Sequence, residues 1–361
     1  MTNIWHNIPI NTNDISVVVQ GAIVPNLTAA CLLSVREHLP GAEIILSTWI
    51  GMDVSNLSYD ILLLNKDVGT VKYDFIYNNF NNCNRQLYST QQGLIKVSKK
   101  YVLKIRTDTV LENNHFLKYW DKFPARERAF QYFNHRVLVS SVYSRTNSDA
   151  SGAPLPFHPS DFWFFGKTED IRDYFSSCPL LSKADMANYQ FKYPNKLPYP
   201  SITWRFAPEQ FFCISWARKH CPYIKFDDWT DYEDANIKLS HQILFNNFIF
   251  LGYEQSGIFC PKHSWAFKNE DKIAGLITYD CFQKKYRELC DGQYIVSIPN
   301  LPKINKSEEF KLKIKKHFSL LIYPFSRIYF FIKQCLKWIR SPFSILCYTI
   351  CLVLTKLGRM K

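Results

Sequence analysis

The chain has 361 residues, is 16% aromatic with only 12 glycines, and contains no low-complexity run or internal repeat, so it can bury one large core with appendages. Its net charge is +13, yet residues 303–361 hold 13 Lys/Arg against 2 Asp/Glu, a surplus of 11 that leaves +2 for residues 1–302. A near-neutral body speaks against nucleic-acid binding, which wants a basic face. The 11 cysteines lack CxxC or CxxH spacing, which speaks against zinc and reads as free thiols in a reducing cytosol.

The opening MTNIWHNIPINTND has neither a basic n-region nor an apolar h-region, so no secretory signal is expected. Ile15 to Val19 (ISVVV) reads as a buried strand ending at Gln20-Gly21. Pro25 opens a helix to about His38, with Leu27, Cys31 and Val35 at helical spacing, and Pro40-Gly41 breaks it. Glu43 to Leu46 starts a second strand, with Ser47-Thr48-Trp49 at its end. Asp60 to Leu64 is a third, followed by Asn65, Asp67 and Gly69. Asn82 to Lys99 is a helix whose Asn82, Arg85, Gln86 and Ser89 share one polar face, which a merely solvated helix would also show. Leu87, Leu94 and Val97 lie opposite, and Arg85 stands in the first turn, where the dipole favours anions.

Tyr101 to Ile105 is the central strand, and it runs into a polar turn carrying Arg106, Asp108 and Glu112. Arginine forks onto phosphate, and a carboxylate holds a divalent ion or a sugar hydroxyl. A surface turn with a local Arg–Asp pair would carry the same residues. Strands alternating with helices predict an α/β fold with a mostly parallel sheet. Its carboxyl edge would gather Gln20-Gly21, Ser47-Thr48, Asn65-Asp67 and Arg106/Asp108 in one crevice, which favours a nucleotide-type ligand.

The second half is less regular. Ala129 to Phe133 and Val137 to Tyr143 read as strands in a hairpin, Asn147 to Pro159 as loop, and Asp161 to Phe165 as an aromatic strand closed by Gly166. His158, Ser160 and Asp161 then sit at the start of a buried strand, where Asp161 either contacts a sugar hydroxyl, carries a raised pKa, or simply caps the strand. Glu169 to Phe175 is a short helix, Tyr193 to Pro200 a loop, and Ile202 to Phe206 follows. Ala207-Pro208-Glu209-Gln210 opens a helix over Phe211 to Lys219, and the dipole there stabilises ionised Glu209, a candidate general base or an ordinary N-terminal glutamate. His241 to Leu251 reads as an apolar helix, and Lys262 or His263 beyond it as a cover for a diphosphate.

After about Pro302 the chain becomes basic and apolar, with runs Phe318–Ile332 and Phe343–Leu354 that fall short of ~20 uninterrupted apolar residues. Trp338 and the flanking Lys/Arg fit an interfacial anchor on anionic lipid, with a short span or a partner-binding tail as alternatives.

ISVVVQGAI, NRQLYST–GL, YVLKIRTD, SDFWFFG and PEQFF, in this order over about residues 14–290, resemble the WavE-type lipopolysaccharide-synthesis family and, more broadly, GT-A nucleotide-sugar glycosyltransferases. The resemblance implies a GT-A-like fold, a mostly parallel sheet flanked by helices, assigned to residues 1–300; the membrane-associating tail, residues 301–361, lies outside the resemblance and rests on its composition. The resemblance also implies a nucleotide-sugar donor pocket lined by Gln20, Gly21 and Thr48, with Asp108 at the last acid of the Asp-x-Asp motif and Glu209 as the acceptor-side base. The first acid of that motif is Arg106 here, so either Asp108 helps to hold Mg²⁺ or Mn²⁺, or the arginine neutralises the leaving diphosphate directly. The expected activity is inverting transfer of a sugar onto a lipid-linked or surface polysaccharide, at the cytoplasmic face of the inner membrane. Glu209 or Asp161 would serve as base, and Arg85, Gln86, Arg106 and Asp108 would bind the donor. A sugar nucleotidyltransferase, whose phosphate loop VVVQGAIVPN lacks, and a non-catalytic membrane scaffold are the rivals.

Overall fold

Ile15–Gln20 (β1) is an unbroken run in which every residue is buried, the pattern of a strand covered on both faces. The computed structural model describes residues 10–74, 79–186 and 204–296. After β1 come α1 (Leu27–His38), β2 (Glu43–Trp49), β3 (Ile61–Asn65), β4 (Val71–Asp74), β5 (Asn79–Asn81), α2 (Cys83–Lys96), β6 (Tyr101–Arg106) and β7 (Val110–Leu111). The second half runs β8 (Val137–Ser140), β9 (Arg145–Asn147), β10 (Pro154–His158), β11 (Phe164–Lys167), α3 (Thr168–Ser176), α4 (Lys183–Met186) and α5 (Pro208–His220). It closes with α6 (Asp234–Asn247), β12 (Phe248–Leu251), α7 (Tyr253–Ser256), β13 (Ile258–Phe259), α8 (Ser264–Lys268) and α9 (Tyr279–Leu289).

Seven strands form the central sheet in the order β12-β8-β11-β6-β1-β2-β3. All run parallel except β11, which lies antiparallel between β6 and β8. The chain leaves β1 towards β2 and β3, then returns to place β6 on the other side of β1. That reversal is a topological switch point, where open α/β sheets hold ligands at their carboxyl ends. Gln20 and Arg106 are register partners across it. Helix α2 lies close on β1 and β2 because Gly93 has no side chain: a Cβ there would stand 2.4 Å from Val18 Cγ1.

Four sequence expectations need correction. Ala129–Phe133 is not a strand: Arg128–Phe130 is one 3₁₀ turn, and the N–H groups of Tyr132 and Phe133 donate to Asn247 Oδ1 at 2.9 and 3.0 Å. Within the expected loop 147–159, Pro154–His158 pairs with Arg145–Asn147. The aromatic strand begins at Phe164, so Asp161 stands in the connection before it. The expected helix 241–251 ends at Asn247, and Phe248–Leu251 becomes the outermost strand, paired with β8. Asn246 and Asn247 explain the break. Their amides bond loop backbone at Glu127 N (2.7 Å) and Phe130 O (2.7 Å), which ties the helix end to the chain that precedes β8.

The eight cysteines among the described residues are free thiols, five of them buried. No helix among the described residues is long and apolar enough to cross a membrane. The Tyr193–Pro200 loop and the basic tail lie outside the described residues.

Candidate active site

The crevice at the carboxyl edge is built first from β1, β2 and β6. Gly21 follows β1 at φ +125°, a backbone conformation that side chains resist, and a Cβ would meet Thr107 Oγ1 at 3.1 Å. Its N–H donates to Ser47 O at 3.0 Å, and Thr107 N donates to Gln20 O at 3.0 Å, so the exits of three strands are tied together. Below them runs a buried polar ladder. Ser89 Oγ donates to Gln20 Oε1 (2.8 Å), Ser47 Oγ to Ser89 O (2.8 Å), and Asn65 Nδ2 to both Ser47 Oγ and Thr48 O (2.9 Å each). On the polar face of α2, Ser89 is buried in this ladder, whereas Asn82 is exposed and Arg85 and Gln86 are partly so. Thr48 is fully buried and its hydroxyl has no protein partner among the described residues.

Arg106 and Asp108 form a fork, Nε to Oδ1 at 2.8 Å and Nη2 to Oδ2 at 2.6 Å. The pair is local, as a surface turn would make it, but it is not on the surface: the side chains are 25% and 9% exposed. The guanidinium lies 4.8 Å from the Phe162 ring, and the fork leaves the two N–H groups on Nη1 for a ligand. Burial works against the charge on Arg106, but its hydrogen bonds to Asp108 outweigh that and hold it above its ordinary pKa. His263 meets Phe162 edge-on at 5.5 Å, and its Nδ1 is 3.1 Å from Tyr143 Oη. Burial, then Arg106, holds His263 below its usual pKa. This places His263 beside the expected phosphate site, whereas Lys262 is exposed.

Arg85 is also forked, onto Asp67 beyond β3, at 2.8 and 2.5 Å. Gln86 turns away from the β1 exit and donates to Asp161 O at 3.2 Å. Lys104, fully buried beneath, donates to the same carbonyl. Burial lowers its pKa to about 8, with Asp161 opposing. Lys104 and Gln86 thus fix the connection that carries Asp161 against the end of β6.

The opposite wall comes from β9, β10 and α5. Pro208 supplies a preset first turn, and Gln210, fully buried, ties the helix start to Ala207 N (3.2 Å) and Pro156 O (2.8 Å). Farther along α5, Trp216 stacks on Phe133 at 4.2 Å and donates to Asp173 at 3.0 Å, which fixes the helix axis. Glu209 is thereby held with 19% of its side chain exposed, 3.9 Å from His158 Nε2. The ionised Glu209 expected from the helix start is opposed: burial, then the charge of Asp161, pushes its pKa up to about 8, with the helix start and Arg145 working the other way. His158 is pushed down to about 3 by burial and then by Arg145, so it is neutral near pH 7. Tyr143 and Phe157, one on each arm of this wall, are non-glycine residues in the left-handed region, at φ +70° and +58°. Strain of this kind persists where surrounding structure over-determines it, commonly at functional sites.

The structure thus brings Gln20, Gly21, Arg106, Asp108, Asp161 and Glu209 to one edge, with Arg85 and Gln86 on the adjoining helix. Sequence reasoning missed Arg145, a basic residue in a Ser/Thr/Asn-rich stretch, and Glu270. The latter accepts from Ser141 after β8 and is pushed to about 7 by burial. Neither sits in a motif.

The donor set does not fit the divalent ion that an Asp-x-Asp motif implies. Both oxygens of Asp108 are held by Arg106, so a cation would have to displace a guanidinium. Among the described residues no three His, Cys, Asp or Glu side chains are grouped to hold a metal.

The sequence model of a family described as WavE lipopolysaccharide synthesis matches residues 15–314. Among solved structures, the crystal structure of S. aureus TarS 1–349 is similar at 13% identity and a TM-score of 0.33, over 56% of this chain and 55% of that one. No curated protein matches the sequence.

Proposed function

The chain belongs to the WavE lipopolysaccharide-synthesis family, and from that premise we propose that it is a GT-A-like glycosyltransferase that moves a sugar from a nucleotide donor to a lipid-linked or polysaccharide acceptor. One observation carries the reading: a guanidinium with its Nη1 unengaged among the described residues and the proton-holding carboxyl of Glu209 share the switch-point edge of the sheet. The strand order supports it, with two donor-side strands after β1, then a helix, then β6 ending in the Arg106-x-Asp108 turn.

In this reading the donor's nucleotide lies over Gln20, Gly21 and Thr48, whose unpartnered hydroxyl offers a bond to it. Arg106, through Nη1, neutralises the leaving diphosphate, and Asp108 holds the guanidinium in plane for it. Glu209 takes the proton of the acceptor hydroxyl, which attacks the anomeric carbon, and a single displacement inverts the centre. A carboxyl with pKa about 8 is a stronger base than an ordinary one, though it must first lose its own proton. Asp161 raises that basicity. The basic segment 303–361 keeps the crevice at an anionic cytoplasmic leaflet.

A non-catalytic scaffold is the second reading, favoured by the closure of Arg106 on Asp108. Acceptor-dependent release of nucleotide from a panel of UDP-, GDP-, dTDP- and CMP-sugars tests the choice. A transferase releases nucleotide from one of them and loses this in Glu209→Gln. Absence of release from all four, with a folded protein, supports the scaffold.

A further inference from the structure

At the edge of the sheet opposite the crevice, before β8 and β12, lies a cavity of about 210 Å³ lined by Trp120, Arg126, Gln131, Asn134, His135 and Arg136. That is far more than the ~10–15 Å³ a single water needs. Two guanidiniums face it without a counter-ion. Arg136 is 5% exposed; its Nη1 donates to Phe123 O and Asn246 O (3.4 Å each) and its Nη2 to Ala125 O (2.9 Å), Phe245 O (3.0 Å) and Cys290 Sγ (3.3 Å), none of them a carboxylate. Arg126 likewise spends its terminal N–H groups on Phe133 O (3.0 Å) and Asn134 O (2.8 Å). Neither makes an ion pair among the described residues.

Asp121, on the lining, is exposed, and Asp170, the nearest buried carboxylate, is engaged by the N–H groups of Asn134 (2.7 Å) and His135 (3.0 Å). Two buried ring or guanidinium nitrogens on the lining, Arg136 Nε and His135 Nδ1, have no protein partner among the described residues. A buried cation without a carboxylate, as Arg136 is, is costly, and repulsion between it and the partly buried Arg126 adds to that cost. An anion in the cavity removes it.

We propose that this cavity is a second binding site, for a phosphate group, separate from the donor crevice. Resting on the membrane-associating tail of the proposed function, a lipid headgroup is one source of such a group. Tyr294, near the end of the described chain, packs at 5.4 Å on Phe123 of the cavity wall, and at 5.0 Å on Tyr286, the ring on which Arg136 lies. The described chain ends at residue 296, close in sequence to Tyr294, and the sequence beyond it is basic, so a phosphate headgroup at an anionic membrane is the source that the charge favours. A free phosphate offers the same chemistry.

The test is calorimetric titration of the intact protein with inorganic phosphate, paired with flotation on phosphatidylcholine vesicles with and without phosphatidic acid. One phosphate site is expected to survive Arg106→Ala, which separates it from the crevice whatever the fate of the transferase reading. Affinity at that site should fall about 10- to 100-fold in Arg126→Gln, a partly buried position, and also fall in His135→Gln. If the same variants lose binding to phosphatidic-acid vesicles, the ligand is a headgroup; if vesicle binding is unchanged while phosphate binding falls, it is the free anion. Phosphate and vesicle binding unaffected by either variant, or no phosphate site in Arg106→Ala, overturns the proposal.

Discussion

On the β1–β6 side of the crevice two carboxylates are matched by guanidiniums, Asp108 by Arg106 and, beyond β3, Asp67 by Arg85. On the β10–α5 wall Glu209 has no guanidinium fork among the described residues. The charge of Asp161 at the end of β6 adds to burial in raising its proton affinity, and the nearest histidine is neutral. The difference is one of burial and pairing rather than composition, since both walls draw on the same residue types. A fork holds charge in place and offers its spare N–H groups to an anion. A crowded carboxyl pair holds a proton and gives it up near neutral pH. One wall suits a diphosphate and the other suits a hydroxyl that must lose its proton.

Substitutions that equalise the walls sharpen the contrast. The largest effect is expected for Glu209→Gln, which should lower the rate of transfer by about 10²–10⁴-fold while leaving donor affinity unchanged. The same variant has a stability signature. Glu209 binds its proton more tightly folded than unfolded, so its contribution is complete below pH 4.5 and is lost as pH rises to about 8. Melting curves of the two proteins should therefore coincide in acid and separate by roughly 2–4 kcal/mol in favour of the variant near pH 9. Next, Gly21→Ala forces a side chain into φ +125° beside Thr107, at an expected cost of about 1–3 kcal/mol in denaturant titration. Asp108→Asn frees Arg106 from its ionised partner. Donor affinity should then stay within about threefold with Mn²⁺ and with EDTA alike, whereas a metal-holding role for Asp108 would make the variant lose whatever affinity Mn²⁺ confers on the unaltered protein. The smallest effect is expected for Arg85→Gln, whose half-exposed pair contributes about 0.2–1 kcal/mol to stability.

The parallel half of the fold was legible because β1, β2 and β6 are apolar runs flanked by polar exits, and because α1 and α2 carry clear periodicity. Phe248–Leu251 was not. It continues the apolar run of α6 without a Gly or Pro, and such short runs do not separate helix from strand. What ends the helix is a long-range bond from Asn247 to Phe130. Pro154–His158 hid behind its prolines, which an edge pairing tolerates. In the site, the strand-end residues were readable from position alone. The state of Glu209 was not, because the helix start visible in sequence favours the ionised form while the burial that defeats it is tertiary. Arg145 reaches His158 only through the β9–β10 register.

The most direct test of the account is calorimetric titration of nucleotide sugars, in EDTA, into the intact protein and into Arg106→Ala. Binding of one donor without metal, weakened at least about tenfold in the variant, is the predicted result. Donor binding that needs Mn²⁺ or Mg²⁺ and is indifferent to Arg106 would contradict it.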